Sequence, residues 1–418
     1  MAQRMKVGIS WRELMNFVKG RETWLFLFFL IIYFSLLALW GINRPEPWHD
    51  EHHFVETVKY FGENFNSTAL YNYEEMSTPL PFFIYAVWGK LAGFQLPVLR
   101  ILSILVACLT FLVFFSIFKK YYNGLVALVV VPFFALNPYF AGASIFVFTD
   151  MMAILFLGLS FLGIQRGKPF LLGIALASAL LTRQYLAFLV PAIFLYTSLV
   201  FLNSGKKGEL KYLIAVVLSC VPLGLLMLFW GGSTPVNTLR DTFISYAFTF
   251  HPAFLTLYIS QIFIYSFPFI LFKWRKFYLD RKIVLISLLA SVSYLLFPVS
   301  SSIPAIEVDV TTVGYFHRFL KMFLSDSMVH VVFYFAYLMS LPVLFTFISS
   351  AYSDFKQKRI GLRFLFTATL LFYLLVMPFS YLVWEKYFIP VLPVVVFLIM
   401  NDFRKEEKIL PEKVLCRS

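Results

Sequence analysis

The chain reads as an all-α integral membrane protein: one polytopic domain over residues 1–418, about twelve transmembrane helices, and a large first extracytoplasmic loop carrying interfacial helices. Three observations predict this. First, 60% of the residues are hydrophobic and only 14% charged, with mean hydropathy +0.80, whereas soluble domains hold roughly 45–50% apolar and about 25% charged residues. Second, the apolar runs approach the roughly 20 residues a helix needs to cross a bilayer. They show no strand alternation, so their backbone groups must be satisfied within helices. Third, Lys and Arg alternate between successive loops. With the N-terminus inside, 26 of the 35 fall on the cytoplasmic side, while 13 of the 22 acids fall outside, as the positive-inside rule expects.

The elements follow in order. A basic N-terminus (Arg4, Lys6, Arg12, Lys19, Arg21) precedes the first apolar run, Trp24 to Ile42. That run is too long for a signal-peptide core and no small-residue cleavage site follows, so it reads as a retained anchor. Residues 43–99 form the first extracytoplasmic loop. Its later part, STPLPFFIYAVWGKLAGFQLP, is apolar but opens on two prolines and is interrupted by Lys90. A full span there would invert every later loop, so a helix lying in the outer interface is expected. Further spans are expected near 100–118, 125–141, 146–165, 168–182, 185–202, 212–230, 253–272, 283–301, 329–351, 364–380 and 387–401. The fifth and the twelfth are short enough to be hairpin halves or tilted partial spans. Outer loops run from Gly231 to Pro252 and over 302–328, and residues 402–418 form a cytoplasmic tail.

The net charge of +13 follows from this topology rather than from nucleic-acid binding. Cys108, Cys220 and Cys416 have neither metal spacing nor a disulfide partner. No P-loop and no G-x-G-x-x-G after a strand occurs.

The most informative segment is PWHDEHHF, Pro47 to Phe54. It places Asp50 and Glu51 among His49, His52 and His53, just after the first span. Adjacent carboxylates cannot both point one way, so one is expected to face the cavity while the other binds backbone or a cation. Partial desolvation at a membrane mouth is expected to raise a carboxylate's pKa and make it a better base; the plainer reading is an acidic helix N-cap. His49, Asp50 and His53 would share one helical face. Metal ligation and hydrogen bonding both fit these histidines, and without HExxH spacing hydrogen bonding is preferred. Asp150, in FVFTDMMA, either orients an acceptor hydroxyl or pairs with Arg183 of LLTRQYLAF. Outer cations are few. Arg183, Arg318 beside His317 in GYFHRFLKMF, and Lys386 beside Glu385 in WEKYFIPVLP suit a lipid phosphate, or snorkel to the interface. His251, in FTFHPAF, either bonds phosphate or sugar or caps a helix.

PWHDEHHFVETVKYF with STPLPFFIYAV, then LLTRQYLAF, FTFHPAFLTLYISQIFIYSFP, GYFHRFLKMF and WEKYFIPVLP together resemble the GT-C glycosyltransferases. They are most similar to the dolichyl-phosphate-glucose-dependent alpha-1,2-glucosyltransferase family of N-glycan precursor assembly. The family's long hydrophilic cytoplasmic insert is missing between Asn203 and Lys211, and Lys386 stands where the family tends to carry Arg. A compact, prokaryotic-type relative with a different sugar or acceptor is therefore expected. The resemblance implies an inverting transfer from a polyprenyl-phosphate-linked sugar to a glycan or lipid-linked acceptor. It assigns Asp50 and Glu51 to catalysis and Arg318, Lys386, Arg183, His251 and His317 to the donor phosphate. His53, Asp150, Gln184 and Glu385 would serve the acceptor or support the site. No cofactor and no metal is called for, the partners being membrane lipid, donor and acceptor, and a monomer in the plasma membrane with its site outside is expected (a lumenal site if the membrane is endoplasmic reticulum). The competing class is a transporter or flippase of lipid-linked glycans. That class needs ionisable residues at the midplane and broken helices there, whereas this chain gathers its charge at one mouth.

Overall fold

The computed structural model describes residues 20–237 and 240–401; the expected tail 402–418, Cys416 and the basic residues ahead of Gly20 lie outside the described residues. Among the described residues every regular element is helical, and each of the expected apolar segments coincides with a helix or a helix pair. Seven helices are long and apolar enough to cross a bilayer: Glu22–Gly41, Leu96–Tyr121, Gln184–Ser204, Lys207–Trp230, Pro252–Phe272, Asp326–Lys356 and Leu362–Phe379. The pair Gly124–Ala135 and Pro138–Ile145, bent by 76°, makes an eighth if taken as one span. Asp150–Gln165, Pro169–Leu180, Arg281–Ser291 and Leu392–Met400, with 16, 12, 11 and 9 residues, are shorter than an independent crossing. By length and composition the described residues thus hold seven or eight candidate spans, where the apolar runs suggested about twelve.

The breaks have local causes. The Asn123 and Asn137 side chains accept from Val126 N and Tyr139 N, both at 2.9 Å. Each thereby caps a new helix, the second with Pro138 in its first turn. Asp280 caps Arg281–Ser291 in the same way. Between Asp150–Gln165 and Pro169–Leu180 the backbones nearly touch, because a Cβ on Gly163 would stand 2.8 Å from Leu172 N. Phenylalanines fill the core, as in the Phe26–Phe115 stack at 4.1 Å. Trp24, Phe28, Leu39, Leu228 and Leu289 are exposed, which is costly in water but not against lipid tails.

Leu80–Ala92 ends after 13 residues, short of a span, and packs on Glu51–Glu63 through Phe82 and Phe54. Backbone and side-chain bonds then staple this first loop to the others. Leu80 N donates to Leu181 O at 3.1 Å, and Val236 N to Tyr71 O at 2.9 Å. Trp230 Nε1 donates to Leu70 O at 2.8 Å. Farther along, His251 N donates to Pro378 O at 2.9 Å and Glu385 N to Val313 O at 2.7 Å. Segments far apart in sequence therefore meet at one end of the bundle.

Candidate active site

The acidic pair divides its work. Glu51 is fully buried against fully buried Arg100. Its carboxylate accepts from Arg100 Nε at 3.0 Å and Nη2 at 2.7 Å, from Trp48 N at 2.8 Å and from Val147 N at 2.9 Å. The same guanidinium donates to Gly41 O, Arg44 O and Glu46 O at 2.9, 2.7 and 3.2 Å. Glu51 is thus committed to fixing the chain's exit from the first span, and Asp50 is left as the accessible member. His49 holds φ +48°, a left-handed conformation histidine adopts more readily than most residues. The helix begins only at Glu51, so the expected shared face of His49, Asp50 and His53 does not form. His49 instead packs edge-on against Trp48 at 4.9 Å.

Asp50 sits in the N-cap position but makes no side-chain cap bond; its Oδ2 accepts from Lys386 Nζ at 2.6 Å, across 336 residues. Its side chain is 45% exposed and that of Lys386 26%. The expected rise in the Asp50 pKa is corrected by this contact. Burial does push it upward, but the charge and hydrogen bond of Lys386, with the charges of His53 and Arg183, outweigh burial and hold the carboxyl below its usual range. The Asp50 carboxyl is thus tied to a cation.

Glu385 organises what lies beside Lys386. Buried, it accepts from Phe316 N and His317 N at 2.9 Å and from the hydroxyls of Tyr265 and Tyr139 at 2.8 and 3.0 Å. Burial raises its pKa against those bonds. Tyr139 Oη also accepts from Tyr315 N at 2.6 Å. The short helix Tyr315–Lys321 is thereby held by its first N–H groups. Gly314, at φ +155°, leaves no room for a Cβ between Tyr139 and Glu385. Arg318 projects from this helix, exposed, with no ion pair to Asp50 or Glu385 among the described residues. His317 is buried, and its Nδ1 accepts from Val313 N at 3.2 Å. Burial, then the charges of Lys321 and His330, push its pKa down to about 4. A neutral ring with Nδ1 occupied offers a phosphate only its Nε2–H.

The remaining candidates surround Asp50 at different distances. Asp150 pairs with Arg183 at 3.4 Å, both side chains 13% exposed, and Arg183 also lies over the Phe54 ring. Gln184 Nε2 donates to Met76 O at 2.6 Å and Ser233 O at 3.3 Å, joining two outer loops. His53 Nδ1 meets Glu75 Oε1. Burial lowers the His53 pKa, and the Glu75 contact with the Asp50 charge overcomes it, so the net shift is upward. His251 precedes Pro252–Phe272 without a side-chain cap bond; it stacks on Phe254 at 4.6 Å, and its Nε2 is buried with no hydrogen-bond partner among the described residues. Among the described residues no three His, Cys, Asp or Glu side chains converge as metal ligands would. An apolar groove of about 340 Å³, lined by Leu80, Leu181, Leu225 and Phe229, opens two residues from Arg183.

Sequence reasoning passed over Arg100, Glu75, Tyr139 and Tyr265 as contributors. Arg100 had a signal: it is the one charge in the Leu96–Tyr121 helix before the basic pair Lys119 and Lys120 that closes it, and intramembrane charges pair. The tyrosines had none, since the chain holds 23.

The bundle, with its lipid-facing apolar surface and converging loops, is that of a multi-pass membrane protein. Residues 76–230 match the family described as dolichyl-phosphate-mannose-protein mannosyltransferase. The match spans 155 of the 418 residues and supports a likeness to glycosyltransferases of the GT-C type. It includes Arg100, Asp150, Arg183 and Gln184, while Asp50, Arg318 and Lys386 lie outside it. No curated protein and no solved structure matches the chain.

Proposed function

We propose that this chain is an inverting hexosyltransferase, with glucose the favoured sugar, taking its donor from polyprenyl phosphate and its acceptor from a lipid-linked glycan or other envelope glycan. The active site faces the extracytoplasmic side. One observation carries the reading: a half-exposed carboxylate, Asp50, shares one site with a lysine, Lys386, from the far end of the chain. A glycosyl transfer of this kind needs both a base and a cation.

In the proposed step, the donor phosphate draws Lys386 away from Asp50. The freed carboxylate takes the proton of an acceptor hydroxyl as its oxygen bonds to the anomeric carbon. The bond from that carbon to the phosphate oxygen breaks with inversion, and polyprenyl phosphate leaves as an anion. Lys386 and Arg318 balance its charge, with Arg183 nearby, and the isoprenoid tail lies in the groove beside Leu181. General-base assistance is typically worth about 10²–10⁴-fold, and stabilising the leaving phosphate contributes as much or more. Glu51 serves this chemistry by holding the Asp50 backbone. The mannose in the matched family's name makes mannose the competing sugar.

The test incubates purified protein with polyprenyl-phosphate glucose, polyprenyl-phosphate mannose and membrane extract, and measures release of polyprenyl phosphate. Asp50→Asn should lower release by about 10²–10⁴-fold with folding unchanged, since an amide oxygen still accepts from Lys386. Near-normal turnover in that variant removes Asp50 from the base role.

A further inference from the structure

A second set of polar groups lies next to Arg183, and the proposed step leaves it unused. Tyr258, Gln261 and Tyr265 recur at helical spacing along Pro252–Phe272 and so share one face. That face looks toward Leu362–Val376 and the turn Glu385–Val391, because Tyr258 packs on Tyr373 at 5.3 Å and Tyr265 on Phe388 at 6.2 Å. Tyr185 packs on Tyr387 at 5.5 Å. Tyr258 and Tyr373 both lie within electrostatic reach of Tyr185, and Tyr387 lies within reach of Arg183, Asp150 and Asp50. The tyrosines therefore form one cluster that reaches the Asp50 site.

Tyr265 is satisfied by Glu385. Its neighbours are not: the hydroxyls of Tyr185 and Tyr373, both amide atoms of Gln261 and Nε of Arg183 are buried and meet no hydrogen-bond partner among the described residues. Gln261 and Tyr373 are fully buried. A hydroxyl or carboxamide held this way in a low-dielectric bundle is costly. Phenylalanine would fill the tyrosine positions equally well without that cost. Apart from the Arg183 guanidinium the unpaired groups are neutral, and the hydroxyls and the carboxamide both donate and accept. The hydroxyls and the carboxamide match a ligand rich in hydroxyls.

We propose that Tyr185, Gln261 and Tyr373, with Tyr258 and Tyr387, form the pocket that holds the hydroxyl groups of the donor's hexose. This rests on the glycosyltransferase reading and extends it to the sugar. The residues are binding groups, while Asp50 and Lys386 act at the anomeric centre above them.

The test uses the full chain in lipid nanodiscs and measures binding of polyprenyl-phosphate glucose, polyprenyl-phosphate mannose and bare polyprenyl phosphate, together with the thermal midpoint. The wild-type protein should prefer one sugar-bearing donor to the bare lipid phosphate. Tyr373→Phe, Tyr185→Phe and Gln261→Met should each weaken that preference, by about tenfold for a lost hydrogen bond. Affinity for bare polyprenyl phosphate should hold, and the midpoint should stay or rise, because an unpaired buried polar group has been removed. A preference left intact in all three variants overturns the pocket alone. So does a lowered midpoint with equal loss for sugar-bearing and bare lipid, which is the signature of a packing role. A wild-type protein that binds none of the three lipids overturns the glycosyltransferase reading and the pocket with it.

Discussion

Replacing Arg100 with methionine tests how the Asp50 loop is built. The substitution keeps an unbranched apolar stem but leaves the fully buried Glu51 carboxylate with only Trp48 N and Val147 N as donors. It also strips the carbonyls of Gly41, Arg44 and Glu46 of their common partner. Breaking a buried pair by removing one member costs about 3–5 kcal/mol, whereas replacing both members by apolar residues is often close to neutral. Arg100→Met and Glu51→Met should therefore each destabilise by about 3–5 kcal/mol, with the double variant costing less than their sum by about 2–3 kcal/mol. It should not return to wild type, because the Arg44 and Glu46 carbonyls and the Trp48 and Val147 N–H groups lose their partner. Unfolding free energies from sodium dodecyl sulfate titrations in mixed micelles supply the cycle. Strictly additive effects, or a loss below about 1 kcal/mol for Arg100→Met, would show that the pair is solvated and does not set the loop.

Two further outcomes follow from the site. Because Lys386 holds the Asp50 carboxyl below its usual range against the opposing effect of burial, the acid limb of kcat/KM against pH, which reports the protein before donor binds, should lie low. Lys386→Met removes the largest lowering influence and should move that limb upward; a limb that stays put or moves down contradicts the coupling. The same sign governs stability: the Asp50–Lys386 contribution is full above the unfolded carboxyl pKa and is lost as pH falls through the lower folded one. Gly314→Ala would drive a Cβ into the Tyr139 hydroxyl and the Glu385 carboxylate at φ +155°, at a backbone cost alone of about 1–3 kcal/mol. It should lower both the thermal midpoint and transfer, while Gly142→Ala, which meets nothing within 4 Å, should change neither. Equal behaviour of the two variants would mean that Tyr315–Lys321 is not held as described.

How much of this was legible beforehand depended on whether the cause was local. Apolar runs announced the long helices but not the short ones inside the outer loops, such as Arg240–Tyr246 and Tyr315–Lys321, and the expected run 125–141 breaks at Asn137, where local capping explains it. Whether a run crosses completely was less readable, because Asp150–Gln165 and Pro169–Leu180 gain their burial from each other rather than from length. Asp50, Lys386 and Glu385 stood out as polar residues at aromatic-rich loop ends. Which carboxylate meets which cation did not: Glu51 finds Arg100 49 residues away and Asp50 finds Lys386 336 away, and only packing brings them together. The direction of the Asp50 shift was misjudged for the same reason, since burial was foreseeable and the lysine's contact was not. The uncapped Asp50 side chain is the detail that parts the catalytic reading from the plain helix cap.

The most direct measurement is a structure of the protein in nanodiscs with a non-transferable polyprenyl-phosphate hexose bound. The account predicts Lys386 moved from Asp50 onto the phosphate, the anomeric carbon facing the Asp50 carboxylate, and the hexose hydroxyls against Tyr185 and Tyr373. A bound donor whose phosphate lies at the opposite end of the bundle, with the Asp50–Lys386 contact intact, would contradict it.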